Sequence, residues 1–425
     1  MAYNEEMRVI IVGDDDQNIF SFRGSDSQYL RRFTKIKDGK TYELLANYRS
    51  KKNIVGFANQ FVLKIENRLK AQPILPHSKE NGTIKLFHYR STGLVVPLVE
   101  DLKQTPLTGT TCVLTQTNEQ AELAMSLLIT NQLQARLIQS NDHFNLLNLQ
   151  EIRYFLDELK VDNDLPYISP EVWDTAKRAL HRKYKASPNF DLAKHIIKDF
   201  QATNRKHKYK TDLRIFIKES KMEDFLRANN ELIYVSTMHK SKGKEFDNVI
   251  LLLDHFDMSR DEAKRLVYVA MTRAKNNLTI HINGSYFNQI EVPELLKVNS
   301  TNTYSPPNSL LLRTGLKDVN LGFFRKNQVL IRHLTTGLKL KPVADGLMYQ
   351  NRLVAKYSHS FQQALGKKKR NGYQIYEANI SHLVYWRDIK TKRQVYTELI
   401  GGEMVTASDS GEILVVLVDI WLIKK

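Results

Sequence analysis

Four short stretches of the sequence gather side chains that could handle an anion or stack against a flat ligand. The first, VGDDDQNIFSFRG, occupies residues 12–24. Its three carboxylates, Asp14, Asp15 and Asp16, could build a metal site. Alternatively Gln17 reports on a nucleotide phosphate while Phe20 or Phe22 offers a ring to a base, a contact contributing roughly 1–3 kcal/mol whatever the base. The plainest reading is a polar loop after a core strand. The second stretch is NYRS, residues 47–50. A tyrosine beside an arginine can stack a purine and grip a phosphate together, although a surface loop fits as well. The third, YVSTMHKSKGKEFDNVIL at 234–251, strings Ser236, Thr237, His239, Lys240, Lys242, Gly243 and Glu245 between two apolar runs. Hydroxyls, backbone amides and lysines in one strand-edge loop favour anions. A loop histidine and solvated lysines are the ordinary alternative. The fourth, DEAKRLVYVAMTRAK at 261–275, ends an apolar helical pattern in Arg273. That arginine is either a phosphate finger or a cation favoured near a helix C-terminus.

The elements that must position these residues follow from periodicity. Apolar β-branched residues predict a buried parallel strand at 8–12, running into Gly13 and the carboxylates, whose partner strands would have to come from elsewhere. Further strands are expected at 42–45, 83–88, 111–114, 232–235, 248–253 and 277–282. Helical spacing is expected from Ile54, around Leu98, over 120–133 and over 259–275, the last opened by a Ser259/Glu262 capping box. This alternation implies a parallel α/β sheet. Residues 150–230 read as a helical insertion with basic clusters, and 293–310, with three prolines, reads as a linker. Beyond it, strands are expected at 329–334, 353–357, 374–376, 395–400 and within 413–423.

The chain has 425 residues, too many for one ordinary core. Its 42% apolar and 26% charged residues are a globular composition and exclude a disordered chain. Sixty-three lysines and arginines against 46 carboxylates give a net charge of +17, for which nucleic acid is the default partner. The single cysteine, Cys112, excludes an internal disulfide and any multi-cysteine zinc site. No apolar run reaches the roughly 20 residues of a membrane span, so no membrane partner is expected.

In their order, the four stretches resemble motifs III, IV, V and VI of the UvrD/Rep/PcrA-type superfamily I DNA helicases. TCVLTQTNEQAELAMSLL, from Thr111, resembles the segment between IV and V. The resemblance covers residues 8–282. It implies an α/β, RecA-like parallel sheet (the P-loop NTPase fold, here the second motor domain), with a helical insertion and a C-terminal β-rich module. The implied domains are the end of the first RecA-like domain (1–38), the second in two parts (39–149 and 231–292), a 2B-like insertion (150–230), a linker (293–310) and a β-rich module (311–425). Gln17, Arg49 and Arg273 are implied as the catalytic contacts to the γ-phosphate of ATP. Tyr48 is implied to stack on adenine, with Gly243 and Glu245 near the nucleotide. Phe22, Thr237 and His239 are implied to touch DNA. Phe22 stands where the family has tryptophan, and Lys244 where it has leucine. No metal ligand is implied within this chain.

The Walker A loop and Walker B strand, which in the family precede motif III, are not found. Gly39-Lys40-Thr41 lacks the first glycine and follows motif III, and Gly366-Lys367 is followed by Lys368. Asp157-Glu158 follows a helical pattern. The expectation is therefore a C-terminal motor half of a 3′-to-5′ DNA helicase, binding single-stranded and duplex DNA. ATP and Mg²⁺ would be held mainly by a separately encoded N-terminal half, and the chain alone would not hydrolyse ATP at a useful rate. The resemblance points to DNA repair and a cytoplasmic setting. The alternative is a non-catalytic DNA-binding remnant of a helicase.

Overall fold

The computed structural model of the chain describes residues 9–36, 39–66, 68–106, 108–138, 145–160, 167–220, 225, 233–387, 395–400, 403–408 and 412–425. For Phe22 and for 395–400 and 403–408 it describes the backbone alone. Two compact units result, one from residues 1–138 with 230–306 and one from 139–229 with 307–425.

The first unit is built from α1 (Ser27–Phe33), β1 (Ala46–Asn47), α2 (Lys52–Val62), β2 (Leu75–Pro76), β3 (Thr83–Tyr89), α3 (Val95–Gln104), β4 (Thr111–Thr115), α4 (Asn118–Thr130) and β5 (Ala135–Leu137). After β5 the chain passes into the second unit. The chain then returns with β6 (Ile233–Thr237), β7 (Phe246–Leu253), α9 (Asp261–Met271), β8 (Ala274–Ile282) and β9 (Leu295–Ser300). Seven strands form one sheet in the order β5-β6-β4-β7-β8-β3-β9, and every neighbouring pair is parallel. This is the expected α/β, RecA-like architecture. Strands β4 and β6 are buried at every position, as strands covered on both faces must be. Helix α2 buries Ile54, Phe57, Ala58 and Phe61, one face at helical spacing, and Phe57 and Phe61 stack on Phe287. Helix α4 opens with a complete capping box between Thr117 and Gln120.

Several expectations fail here for physical reasons. Val9–Val12 pairs with no strand among the described residues, and Ile10 is 90% exposed; Arg8 lies outside them. A strand needs a neighbour for its backbone groups, and apolar composition alone supplies none. Residues 42–45 are not a strand; the pairing falls instead on β1 with β2. The Ser259/Glu262 capping box does not form, because the Ser259 hydroxyl donates to Asp257 Oδ2 at 2.9 Å and the helix starts after Arg260. The expected linker at 293–310 contains β9, a sheet edge paired with β3. Its prolines flank that strand and do not interrupt it.

The second unit contains α5 (Gln150–Glu158), α6 (Pro170–Tyr184), α7 (Phe190–Thr203) and α8 (Lys210–Glu219). After residue 306 it adds β10 (Ser309–Arg313), α10 (Leu321–Lys326), α11 (Gln328–Ile331), β11 (Lys341–Pro342), β12 (Gly346–Tyr349), β13 (Arg352–Lys356), α12 (His359–Arg370), β14 (Tyr373–Arg387), β15 (Val395–Ile400), β16 (Glu403–Ser408) and β17 (Glu412–Lys424). Trp173, Phe155, Phe200 and Phe216 pack edge-on or tilted in its helical core. The long strands β14 and β17 pair antiparallel, with β10 on the other side of β17. Residues 329–334, expected as a strand, begin inside helix α11, whose Gln328 side chain bonds to both backbone groups of Leu414. A short apolar run does not separate strand from buried helix. No helix among the described residues is long and apolar enough to cross a membrane.

Candidate functional site

All four chemistry-bearing stretches fall in the first unit, and their polar residues meet at the start of β7 and β8. Glu245 immediately precedes β7 and Arg273 immediately precedes β8. The NYRS turn is fixed by its own asparagine: Asn47 Oδ1 accepts the backbone N–H groups of Arg49 and Ser50 at 3.0 and 2.8 Å. The Ser50 hydroxyl then donates to the carbonyl of Ala274 at 2.6 Å, and Arg49 Nη1 donates to the carbonyl of Thr272 at 3.0 Å. The turn is thereby tied to the end of α9 and the start of β8. Arg49 Nε also donates to Glu245 Oε1 at 2.6 Å. That hydrogen bond holds the Glu245 carboxyl below its usual range, so it is anionic at neutral pH.

Arg273 is the most buried member, at 2% exposure. Its Nε donates to the carbonyl of Val269 at 2.9 Å, Nη1 to that of Lys244 at 3.4 Å, and Nη2 to Gln17 Oε1 at 3.4 Å. Burial first, then the neighbouring Arg49 cation, pull its guanidinium down to about 10, while Glu245, Tyr268 and Asp14 act the other way. It remains a cation at neutral pH. Gln17 lies opposite, its Nε2 donating to Asp14 Oδ2 at 2.6 Å. Gln17, Arg49, Arg273 and Glu245 are thus brought together. Tyr48 is exposed on the same turn, its ring 4.6 Å from that of His77. Gly243 adopts φ +84°, a left-handed conformation that lets the loop turn into Glu245.

The three aspartates form a group close enough to hold a cation, but each is already engaged. Asp16 takes a two-pronged contact from Arg68 at 2.8 Å on each oxygen. Asp15 accepts the Leu69 N–H at 2.7 Å, and Asp14 pairs with Lys70 at 2.8 Å. Their donors bolt the loop to residues 68–70, which favours a structural role over the metal alternative.

A second gathering lies along residues 237–244. Thr237 ends β6 level with Thr115 of β4 and is buried. His239 is half-buried, with its ring 6.1 Å from that of Phe20. Lys242 Nζ lies 5.2 Å above the Phe20 ring and donates to the Gln17 carbonyl at 2.9 Å, and Arg23 lies 5.6 Å from the same ring. Burial, then the Arg23 cation, lower the His239 pKa. The Phe22 side chain lies outside the described residues. Arg68 and Lys70 are positioning residues that the sequence does not single out, whereas Lys242 is named in the third stretch only as an anion-favouring lysine. Arg68 and Lys70 follow α2 in a stretch without periodic signal, and nothing in the order of residues says that Lys242 reaches back to Gln17.

The UvrD-like helicase C-terminal domain model matches residues 42–165 and 163–285, and the UvrD/REP helicase N-terminal domain model matches residues 1–38. Bacillus subtilis YjcD is 25% identical over 366 residues, covering 65% of this chain and 48% of YjcD. DNA helicase II of Haemophilus influenzae is 40% identical over 62 residues, 15% of this chain and 8% of that protein. A solved structure, the C-terminal domain of a possible DNA helicase from Lactobacillus plantarum, shares 13% identity and a TM-score of 0.30 over 59% of this chain and 98% of that one. The chain spans about half the length of YjcD.

Proposed function

The chain belongs to the UvrD-like helicases, and from that premise we propose that it is the C-terminal motor half of an ATP-dependent 3′-to-5′ DNA helicase. The observation that carries this reading is the convergence of Arg49, Arg273 and Gln17, with Glu245, at the start of β7 and β8. Two guanidiniums and a carboxamide are a donor set suited to phosphate oxygens. Arg273 and Arg49 face the phosphates of ATP held by an N-terminal half, and Gln17 senses them. Tyr48 offers its exposed ring to the adenine, and Gly243 and Glu245 lie beside the nucleotide. Phosphoryl transfer depends on positioning and on charge stabilisation, so the arginines contribute to the rate without chemistry of their own.

Asp14, Asp15 and Asp16 do not suit Mg²⁺, since they are taken by Lys70, Leu69 and Arg68. The metal and the phosphate cradle come from the separately encoded half. Single-stranded DNA runs past His239, which has Phe20 and Lys242 near it, Phe22 gives a further contact to the strand, and Thr237 anchors that loop from its buried position. Duplex DNA is the substrate of the assembled motor, in DNA repair and in the cytoplasm.

The test is reconstitution. The chain alone is assayed for DNA-stimulated ATP hydrolysis, then together with a Walker A- and B-bearing N-terminal half. The proposal expects turnover only in the mixture, reduced about a thousandfold or more by Arg273→Ala. Turnover by the chain alone, surviving Lys40→Ala but abolished by Arg273→Ala, would overturn it. Salt-sensitive DNA binding with no turnover in any mixture would leave the DNA-binding remnant as the better reading.

A further inference from the structure

The second unit contains a groove that the motifs leave unused. It lies between α6 and α7, encloses about 850 Å³, and is lined by Lys177, Arg178, Arg182, Lys185, Lys194 and Lys198. One carboxylate, Asp174, shares the lining and is paired with Lys177 at 2.7 Å. Among the described residues Arg182, Lys185, Lys194 and Lys198 form no ion pair. Arg178 and Arg182 stand four residues apart on α6, as do Lys194 and Lys198 on α7. Like charges at that spacing destabilise a helix slightly, by about 0.2–0.5 kcal/mol a pair in isolated helices. The macrodipole favours cations in the last turn of α6. It does not account for Lys194 and Lys198, which lie in the middle of α7.

The floor narrows the class of ligand. Leu180 and Ile197 are 2% and 3% exposed, so the apolar surface open in the groove comes from its two rings and from the alkyl stems of its cationic side chains. The charged ends of those side chains stand beside a pair of rings. His181 is exposed, Phe190 is half-buried, and their centroids are 5.5 Å apart at 75°. A cationic track with aromatic rings beside it is how proteins hold unpaired strands.

We propose that this groove is a second nucleic-acid site, gripping the phosphates of an unpaired strand between α6 and α7 with a base against the His181–Phe190 rings. From Arg178 to Lys185 the track is about 10 Å long at 1.5 Å per residue, enough for a few nucleotides. It shares no residue with the site in the first unit and does not depend on the roles proposed there.

The experiment measures binding of a fluorescein-labelled oligo(dT) to the full chain by anisotropy, across a salt series. The variant is the quadruple Arg182→Gln, Lys185→Gln, Lys194→Gln and Lys198→Gln. Its log affinity against log salt is expected to be shallower by about 2–3, since each single-strand phosphate contact contributes about 0.7. A second variant, His181→Ala with Phe190→Leu, is expected to weaken oligo(dT) about tenfold with the salt slope unchanged, and to leave a fully paired hairpin unaffected. All three tryptophans lie in the second unit, so their fluorescence on heating verifies that each variant keeps its fold. A His239→Ala effect of equal size in both backgrounds identifies the first-unit site as separate. Unchanged slope and affinity in a folded quadruple variant would overturn the proposal. So would loss of binding to a polyglutamate peptide while oligo(dT) binding is kept, which would assign the groove to an acidic protein. Equal weakening of hairpin and oligo(dT) by the ring variant would overturn the unpaired-strand assignment.

Discussion

Arg273 is held in the fold against its own solvation, and replacing it should therefore stabilise the protein. Burial brings its guanidinium down to about 10, between two and three powers of ten below an ordinary arginine. At about 1.4 kcal/mol per power of ten, keeping the charge in place costs the folded state on the order of 3 kcal/mol. Arg273→Met removes that charge and keeps an unbranched chain to fill the space. The hydrogen bonds lost with it are modest. The Val269 carbonyl keeps the Thr272 hydroxyl at 2.9 Å, and the guanidinium contacts to the Thr272 hydroxyl, at 3.2 Å, and to Lys244 and Gln17, at 3.4 Å, are long. Allowing about 1 kcal/mol for them leaves a gain of about 2 kcal/mol. For a unit of this size that is a rise in melting temperature of about 4–8 °C. The sign has a pH signature. Between about 10 and the ordinary arginine value the unfolded chain binds the proton more tightly, so wild-type stability rises with pH there and its deficit against the variant closes. Thermal unfolding of both proteins at pH 7.5 and pH 10.5 tests this. A Met variant that melts below wild type at pH 7.5 would refute the reasoning and make Arg273 a structural cation.

Three further outcomes follow from the same geometry. Arg68→Ala strands the fully buried Asp16 carboxylate and should lower stability by about 3–5 kcal/mol, partly restored by adding Asp16→Asn; chemical denaturation reads it, and a loss under about 1 kcal/mol would contradict the pairing. Gly82→Ala would place a Cβ 2.0 Å from the Asn276 carbonyl of β8, a backbone atom with no room to yield, whereas at Gly243 the space is open and the strain is only that of φ +84°. Melting curves should show Gly82→Ala losing about 3 kcal/mol and Gly243→Ala about 1–2 kcal/mol, and the reverse order would contradict both assignments. His239, with its pKa lowered first by burial and then by Arg23, should be neutral at pH 7. Its contribution is present above the usual histidine range and is lost as acidification passes through that range toward the lower folded value; an NMR titration with a midpoint at or above about 6.5 would reject this.

The sheet was legible in the sequence because its strands are buried on both faces, and continuous apolar runs such as those at β4 and β7 carry that signal. Helix α4 was legible through its apolar spacing, and α9 likewise, although its cap was not: Asp257 competes for Ser259, and that contest is settled in three dimensions. Strand β9 and helix α11 were misread for a related reason. The first is a half-exposed sheet edge between prolines, and the second is four residues whose conformation is fixed by the distant Leu414. The polar residues at the site could be named in advance, but their partners could not. Arg49 lies 196 residues from Glu245, and no local pattern encodes a contact of that separation.

The loop from Thr237 to Phe246 is the feature that makes one site of these parts. Thr237 is level with Thr115 at the far end of β4, while Asn248 is level with Thr111 at its start. The loop therefore travels back along the sheet by about 20 Å, six residues' worth of strand. Its first residues lie beside Phe20 and its last, Glu245, accepts from Arg49. Lys242 sits between them and holds the Gln17 carbonyl, while the Gln17 side chain accepts from Arg273. A rearrangement of Arg273 or Gln17 around an anion would pull on a segment whose next aromatic residue, Phe20, is packed near His239.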